Sequence, residues 1–469
     1  QKVMKYYWLK IEVIFLVLVL IMPGNTLARV YEFELDNGLK LLVKKDHRAP
    51  VVVTQVWYKV GGSYEYDGIT GISHALEHMM FKGTEKFPLG EFSRVISENG
   101  GRDNAFTGPD YTTYFQTLEK TRLPISFELE ADRMRHLTLS NEEFIKEIEV
   151  VKEERRWRTE DNPQSFLYET VKAMAFQTSP YRFPVVGWMQ DLSSMTIDDL
   201  SSWYEKWYAP NNATVVVVGD VDPYHVYALA YKYFSPLPAG KPIKINEQKE
   251  VPQQGTKRIT VKRPAELPSI MMVYKTPVIK PKDKNQTEYD WEPYALEVLA
   301  GILDGGNSAR IASRLVRGNE VAAGASASYQ IASRLDNLFT LSGTPAEGKS
   351  IQELEVAFRN EILDLQTHLV SDEELQRVKA QVISADVYEK DSVFYQAMII
   401  GILETIGLSW DLADVYVDRI KSVTNEQVLV VAKKYLIDDR LTVADLHPLP
   451  TKDKSSKIRS AIKGNARAH

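Results

Sequence analysis

Two stretches more than two hundred residues apart read alike, and this repetition restricts the chain more than any other feature. Thr196–Tyr208 followed by Ala213–Gly219 (T-I-D-D-L-S-S-W-Y-E-K-W-Y, then A-T-V-V-V-V-G) reads as helix, short turn and strand. Thr424–Leu436 followed by Arg440–Leu446 (T-N-E-Q-V-L-V-V-A-K-K-Y-L, then R-L-T-V-A-D-L) reads the same way. Each copy closes an α+β unit of similar length, and 469 residues are too many for one ordinary core. The segment Ser235–Lys257 between them is rich in Pro, Gly, Lys and Gln and lacks periodicity, so it reads as a linker. The expected organisation is a half over 29–240, a linker over 241–257 and a related half over 258–469.

Residues 1–28 stand apart. Lys5 and Lys10 precede the apolar run Val13–Met22, which leads into Pro23, Gly24 and the small-residue pattern Thr26-Leu27-Ala28. That is the pattern of a secretory signal peptide, and the run is about half the roughly 20 residues needed to cross a bilayer. Export, to a bacterial periplasm, is the expectation, with tethering by an uncleaved signal as the alternative and no stable membrane span. A net charge of -6 leaves no basic footprint for a nucleic-acid partner. With no cysteine in the chain, disulfides and thiolate metal sites are excluded, leaving His and carboxylate as ligands.

Alternation around Asn37-Gly38 predicts a hairpin over Tyr31–Lys45, and Val51–Val60 reads as another strand. Over Ile69–Phe81 the period changes to that of a helix, and further helices are expected over Leu89–Asn99, Leu123–His136 and Asn141–Thr159, with β-like sequence over Arg102–Thr117. The first of these helices carries His74-Ala75-Leu76-Glu77-His78. Two imidazoles at i and i+4 lie one turn apart on one face and can share one ion, and H-x-x-E-H is the mirror order of the commoner H-E-x-x-H zinc motif. A catalytic zinc needs three protein ligands and a carboxylate that takes a proton from water. Candidates for the third ligand are the acids of Glu142–Glu160, where Glu147 and Glu154 share a helix stripe seven residues apart. Spacing alone does not choose between Glu153 and Glu154.

With these residues in place, the chain resembles the pitrilysin/insulinase family of zinc metallopeptidases, in particular the bacterial branch related to mitochondrial processing peptidase. Matching pieces are H-M-M-F-K-G-T (78–84), G-G-x-x-N-A-F-T (100–107) and Y-A-P-N-N-A-T-V-V-V-V-G-D (208–220). The resemblance implies one zinc per chain on His74, His78 and Glu154, Glu77 activating the attacking water, and Glu147 supporting catalysis without binding metal. It also implies a clam-shell of two related α+β halves, each a mostly antiparallel sheet with helices on one face. Extended peptide or small-protein substrates would add to a sheet edge at Asn104 and Ala105.

Family members that act alone carry, in the second half, an arginine followed about seven residues later by a tyrosine, and both help bind substrate. Here Arg317 is followed by G-N-E-V-A-A-G and the next tyrosine is Tyr329. The expectation is therefore a metal-bearing subunit that pairs with a related chain lacking the zinc motif, or with a second copy of itself. The rival reading is a non-catalytic binding or scaffold subunit.

Overall fold

The computed structural model describes residues 29–281 and 290–450. The expected signal peptide over 1–28 and the stretches 282–289 and 451–469 lie outside them. The first half runs β1 (Val30–Glu34), β2 (Lys40–Lys45), β3 (Val51–Tyr58), α1 (Ile72–Met79), α2 (Glu91–Glu98), β4 (Arg102–Thr107), β5 (Thr112–Glu119), α3 (Leu123–His136), α4 (Asn141–Arg155), α5 (Pro163–Ala175), α6 (Met189–Ser194), α7 (Ile197–Trp207), β6 (Ala213–Gly219) and α8 (Pro223–Phe234). The second half runs β7 (Lys257–Pro264), β8 (Ser269–Thr276), α9 (Glu292–Asp304), β9 (Ala322–Tyr329), β10 (Asn337–Pro345), α10 (Ile351–Thr367), α11 (Asp372–Asp391), α12 (Val393–Thr405), α13 (Leu412–Lys421), α14 (Asn425–Tyr435) and β11 (Leu441–Leu449).

The two sheets have one topology. The first is ordered β1-β2-β6-β3-β5-β4 and the second β7-β11-β8-β10-β9. If β7, β11, β8, β10 and β9 are matched with β2, β6, β3, β5 and β4, every neighbour corresponds, and only β1 lacks a partner. The pairings agree in sense as well. β2–β6 and β7–β11 are the parallel pairs, and the rest are antiparallel. The repeated helix-strand units are α7–β6 and α14–β11. Each helix opens with a threonine capping box, Thr196 with Asp199 and Thr424 with Gln427.

The helices of each half pack on one face of their own sheet, and each opposite face is covered by a helix from the other half. Along β6, Val215 and Val217 enter the first half's core, whereas Val216 and Val218 meet Ala397 and Ile400 of α12. Along β8, Ile270, Met272 and Tyr274 face the second half's core, whereas Met271 and Val273 meet Leu167 and Val171 of α5. A strand covered on both faces must be apolar at successive positions, which is why A-T-V-V-V-V-G and S-I-M-M-V-Y show no clean alternation.

Several helix boundaries differ from the sequence expectation. Gly71 and Gly90 sit at φ +85° and +80°, so the first two helices start after them rather than at 69 and 89. The helix expected over Asn141–Thr159 is α-helical to Arg155 and then widens into a π-helical turn, Arg156–Glu160.

Candidate metal centre

Helix α1 has Ile72, Ala75, Leu76 and Met79 on its buried side, which leaves His74, Glu77 and His78 on the other. Its first turn is fixed by the buried Glu65 carboxylate, which accepts from the backbone N–H of Gly71 at 2.7 Å and of Ser73 at 2.9 Å. Burial pushes this carboxyl up to about 7 despite the two bonds. Gly71 packs against the chain at Gly187, where a Cβ would stand 2.5 Å from the Val186 carbonyl oxygen.

Helix α4 is anchored by Phe144, Ile148 and Val151 in the core. The buried Arg155 binds Glu169 of α5 and the Gly187 carbonyl at 2.8 Å, so one guanidinium ties α4 to the loop against which α1 packs. This brings Glu154 to both histidines. His74 Nε2 lies 3.6 Å from Glu154 Oε1, and His78 Nε2 lies 3.5 Å from Glu154 Oε2. Glu153, by contrast, is exposed and pairs with Arg156. Glu147, two turns before Glu154, lies 3.2 Å from His78 Nδ1, and its other oxygen lies 2.5 Å from Lys82 Nζ.

The three ligand candidates fit a zinc ion. Their ligand atoms all lie within 4.8 Å of one another. Separations of 3.5 and 3.6 Å are long for hydrogen bonds, but two ligands on one tetrahedral zinc at roughly 2.1 Å stand roughly 3.4 Å apart. His74 is buried, and burial, reinforced by His78 and Arg158, lowers its pKa to about 3, so the ring is neutral with a lone pair to give. A carboxylate at His78 Nδ1 can only accept, so that nitrogen carries the proton and Nε2 is free to bind. The donor set, two imidazoles and a carboxylate without thiolate, is that of a catalytic zinc site.

Glu77 faces a cavity of about 470 Å³ that is also lined by His74, His78, Glu154 and the β4 residues Asn104–Thr107. Burial raises its carboxyl pKa, while the Thr107 hydroxyl, donating to Oε2 at 2.6 Å, opposes the rise. Strand β4 is the sheet's outermost strand. The Ala105 N–H donates to the side chain of the neighbouring Asn104 at 2.9 Å. The structure therefore brings together His74, Glu77, His78, Asn104, Ala105, Glu147 and Glu154. Arg317 is not among the residues lining this cavity; it follows a π-helical turn in the second half and donates to the Asn307 carbonyl. Five residues not singled out from the sequence also line it: Phe106 and Thr107, which lie within the quoted N-A-F-T, Val185 and Val186, and Arg158, whose guanidinium is 2.6 Å from Glu154 Oε1 and whose place on a π-helical turn has no sequence signal.

Fold and site define a two-half α+β protein with an inverted-order histidine-glutamate cluster on its first half that could hold a metal ion. Residues 40–187 match the family model described as insulinase (peptidase family M16), and residues 194–382 match the model described as peptidase M16 inactive domain. The chain belongs to this family, whose relatives carry zinc-protease names. It is similar to the zinc protease PqqE of Helicobacter pylori, at 32% identity over 88% of this chain and 92% of that protein. The crystal structure of a protease from Helicobacter pylori superposes with a TM-score of 0.84 at 28% identity, covering 90% of this chain and all of that one. The periplasmic protease PqqL from Escherichia coli superposes with a TM-score of 0.73 at 19% identity, covering 94% of this chain and 50% of that one.

Proposed function

We propose that the chain is a zinc-dependent metalloendopeptidase acting on extended peptides or small proteins. The observation that carries this reading is the meeting of His74, His78 and Glu154 beside a half-buried Glu77 and an open strand edge. An extended peptide adds to β4 as a further strand, its main chain bonding the groups that β5 leaves free, with Asn104 and Ala105 at the reacting position. A zinc ion held by the two imidazoles and Glu154 supplies carbonyl polarisation and acidifies water. Glu77 takes the proton from the attacking water and returns it to the leaving amine, and its raised pKa suits both steps. Glu147 holds the His78 tautomer and orientation.

The working enzyme pairs this chain with a related subunit or a second copy, and Arg317 contributes to substrate binding in that assembly. The support is that this chain covers half of the longer PqqL chain. Export through a leader over 1–28 agrees with the description of PqqL as a periplasmic protease and with the finding that, among the described residues, no helix is long and apolar enough to cross a membrane. The test is zinc content and cleavage of a mixed peptide library, before and after chelation and zinc return. One zinc per chain with cleavage that follows the metal supports the proposal. Bound zinc without cleavage, alone or with any co-purifying chain, supports the scaffold reading instead.

A further inference from the structure

The helices that build the metal centre have counterparts in the second half. Helix α1 follows β3, as α9 follows β8; α4 is the second helix after β5, as α11 is the second after β10. The pairs pack alike, α1 on α4 and α9 on α11. At α9 and α11 the second half also has a cavity, of about 380 Å³, further lined by α12, α13 and the segment after β9. It holds no histidine. Its walls are largely aliphatic, with Val382 of α11, Ile399 and Ile402 of α12 and Leu412 of α13, together with the ring of Tyr416 of α13.

Where α1 presents its ligands, α9 presents Glu297. Its Oε2 is shut off from solvent and has no hydrogen-bond partner among the described residues. Burial pushes the carboxyl up to about 7. The other charged groups lining the cavity are Asp386, Glu389 and Lys390. The lysine is already engaged, with Nζ 2.7 Å from Asp386 Oδ2. A carboxyl oxygen enclosed without a partner costs stability, and a purely apolar ligand leaves that cost in place. An anionic ligand meets three acids. A cation on an aliphatic body satisfies both the wall and the carboxyl.

We propose that this cavity is a binding site for an aliphatic ammonium, with its chain against Val382, Ile399 and Ile402 and its charge on Glu297. A free alkylamine and the lysyl side chain of a peptide present the same chemistry. The site is independent of the metal centre and of peptide cleavage. The test is calorimetric titration of n-hexylamine, n-hexanol and hexanoate into the full chain, its Glu297→Gln form and its Val382→Phe form. Expected is saturable amine binding, with the alcohol and the acid about tenfold weaker or absent. Glu297→Gln weakens the amine about tenfold, and Val382→Phe, which fills the cavity, abolishes it. Discrimination among the three ligands is read on the native protein, so a variant that fails to fold leaves the test decisive. Absence of amine binding, equal binding of the alcohol, or unchanged binding in both folded variants overturns the proposal. A blocked lysyl tripeptide identifies the source, since the peptide binds as tightly as the amine if a protein side chain is the ligand and more weakly if a free amine is.

Discussion

One face of helix α4 grips one imidazole from both ends: Glu147 Oε1 lies 3.2 Å from His78 Nδ1, and Glu154 Oε2 lies 3.5 Å from its Nε2. In the proposed mechanism the seven-residue spacing gives the two carboxylates different work, one to hold the proton on the ring and the other to share the ion. Replacing Glu147 by Ala frees the ring and its tautomer, so zinc affinity should fall by about 10–100-fold while the fold persists. Competition with a chromophoric chelator measures this, and unchanged affinity refutes the role given to Glu147.

The free edge of β4 yields a kinetic expectation. The Ala105 N–H donates to the adjacent Asn104 side chain, a bond that a peptide docked on this edge would displace. Ala105→Pro removes that donor at an edge position where proline is tolerated. The KM for peptides should rise about tenfold, near the value of one backbone hydrogen bond, with kcat little changed. Steady-state kinetics on a fluorogenic peptide distinguish this from a loss of kcat alone, which would place Ala105 outside substrate docking.

The linker should make stability depend on acid. Burial raises the Glu250 carboxyl, but Lys275 Nζ at 2.5 Å and the backbone N–H groups of Gln177, Thr178 and Ser179 lower it to about 2. A depressed folded-state pKa stabilises above the ordinary carboxyl pKa and is lost as pH falls toward the folded value. Glu250→Gln should therefore melt below the native chain at pH 7, with the gap narrowing from about pH 4.5 toward pH 2. A gap independent of pH contradicts the assignment.

The exchange of helices between halves depends on Gly401. Its Cα rests on the Trp57 indole, where a Cβ would stand 2.1 Å from Cε2, and the indole is held by its Nε1 donating to Gln55 Oε1 at 3.0 Å. Gly401→Ala must push α12 off the first sheet. A loss of about 1–3 kcal/mol, read from the urea midpoint, is expected. Neutrality would mean that α12 packs loosely.

The sequence was legible where one residue pattern has one local reading. Helix-turn-strand sequences beginning at 196 and 424 announced two related units, and H-A-L-E-H with its apolar side announced a helix presenting two imidazoles. The candidate for a third ligand was less legible, because helical spacing allows Glu153 as well as Glu154, and the packing of α4 through Arg155 turns Glu154 inward. The exchange of α5 and α12 was not legible, because an apolar helix carries no mark of which sheet it covers. The runs of valine in β6 held the trace of it, since a strand buried on both faces needs a second cover. Arg317 was chosen by resemblance alone, and a resemblance does not say which cavity a side chain lines.

The account rests on Glu77 moving the proton while other residues hold the metal. The most direct test is zinc stoichiometry and peptide turnover of the Glu77→Gln chain beside the native one, alone and with any co-purifying subunit. The account predicts one zinc in both and a loss of turnover in the variant of about 100-fold or more. Cleavage that survives Glu77→Gln with zinc bound would contradict it.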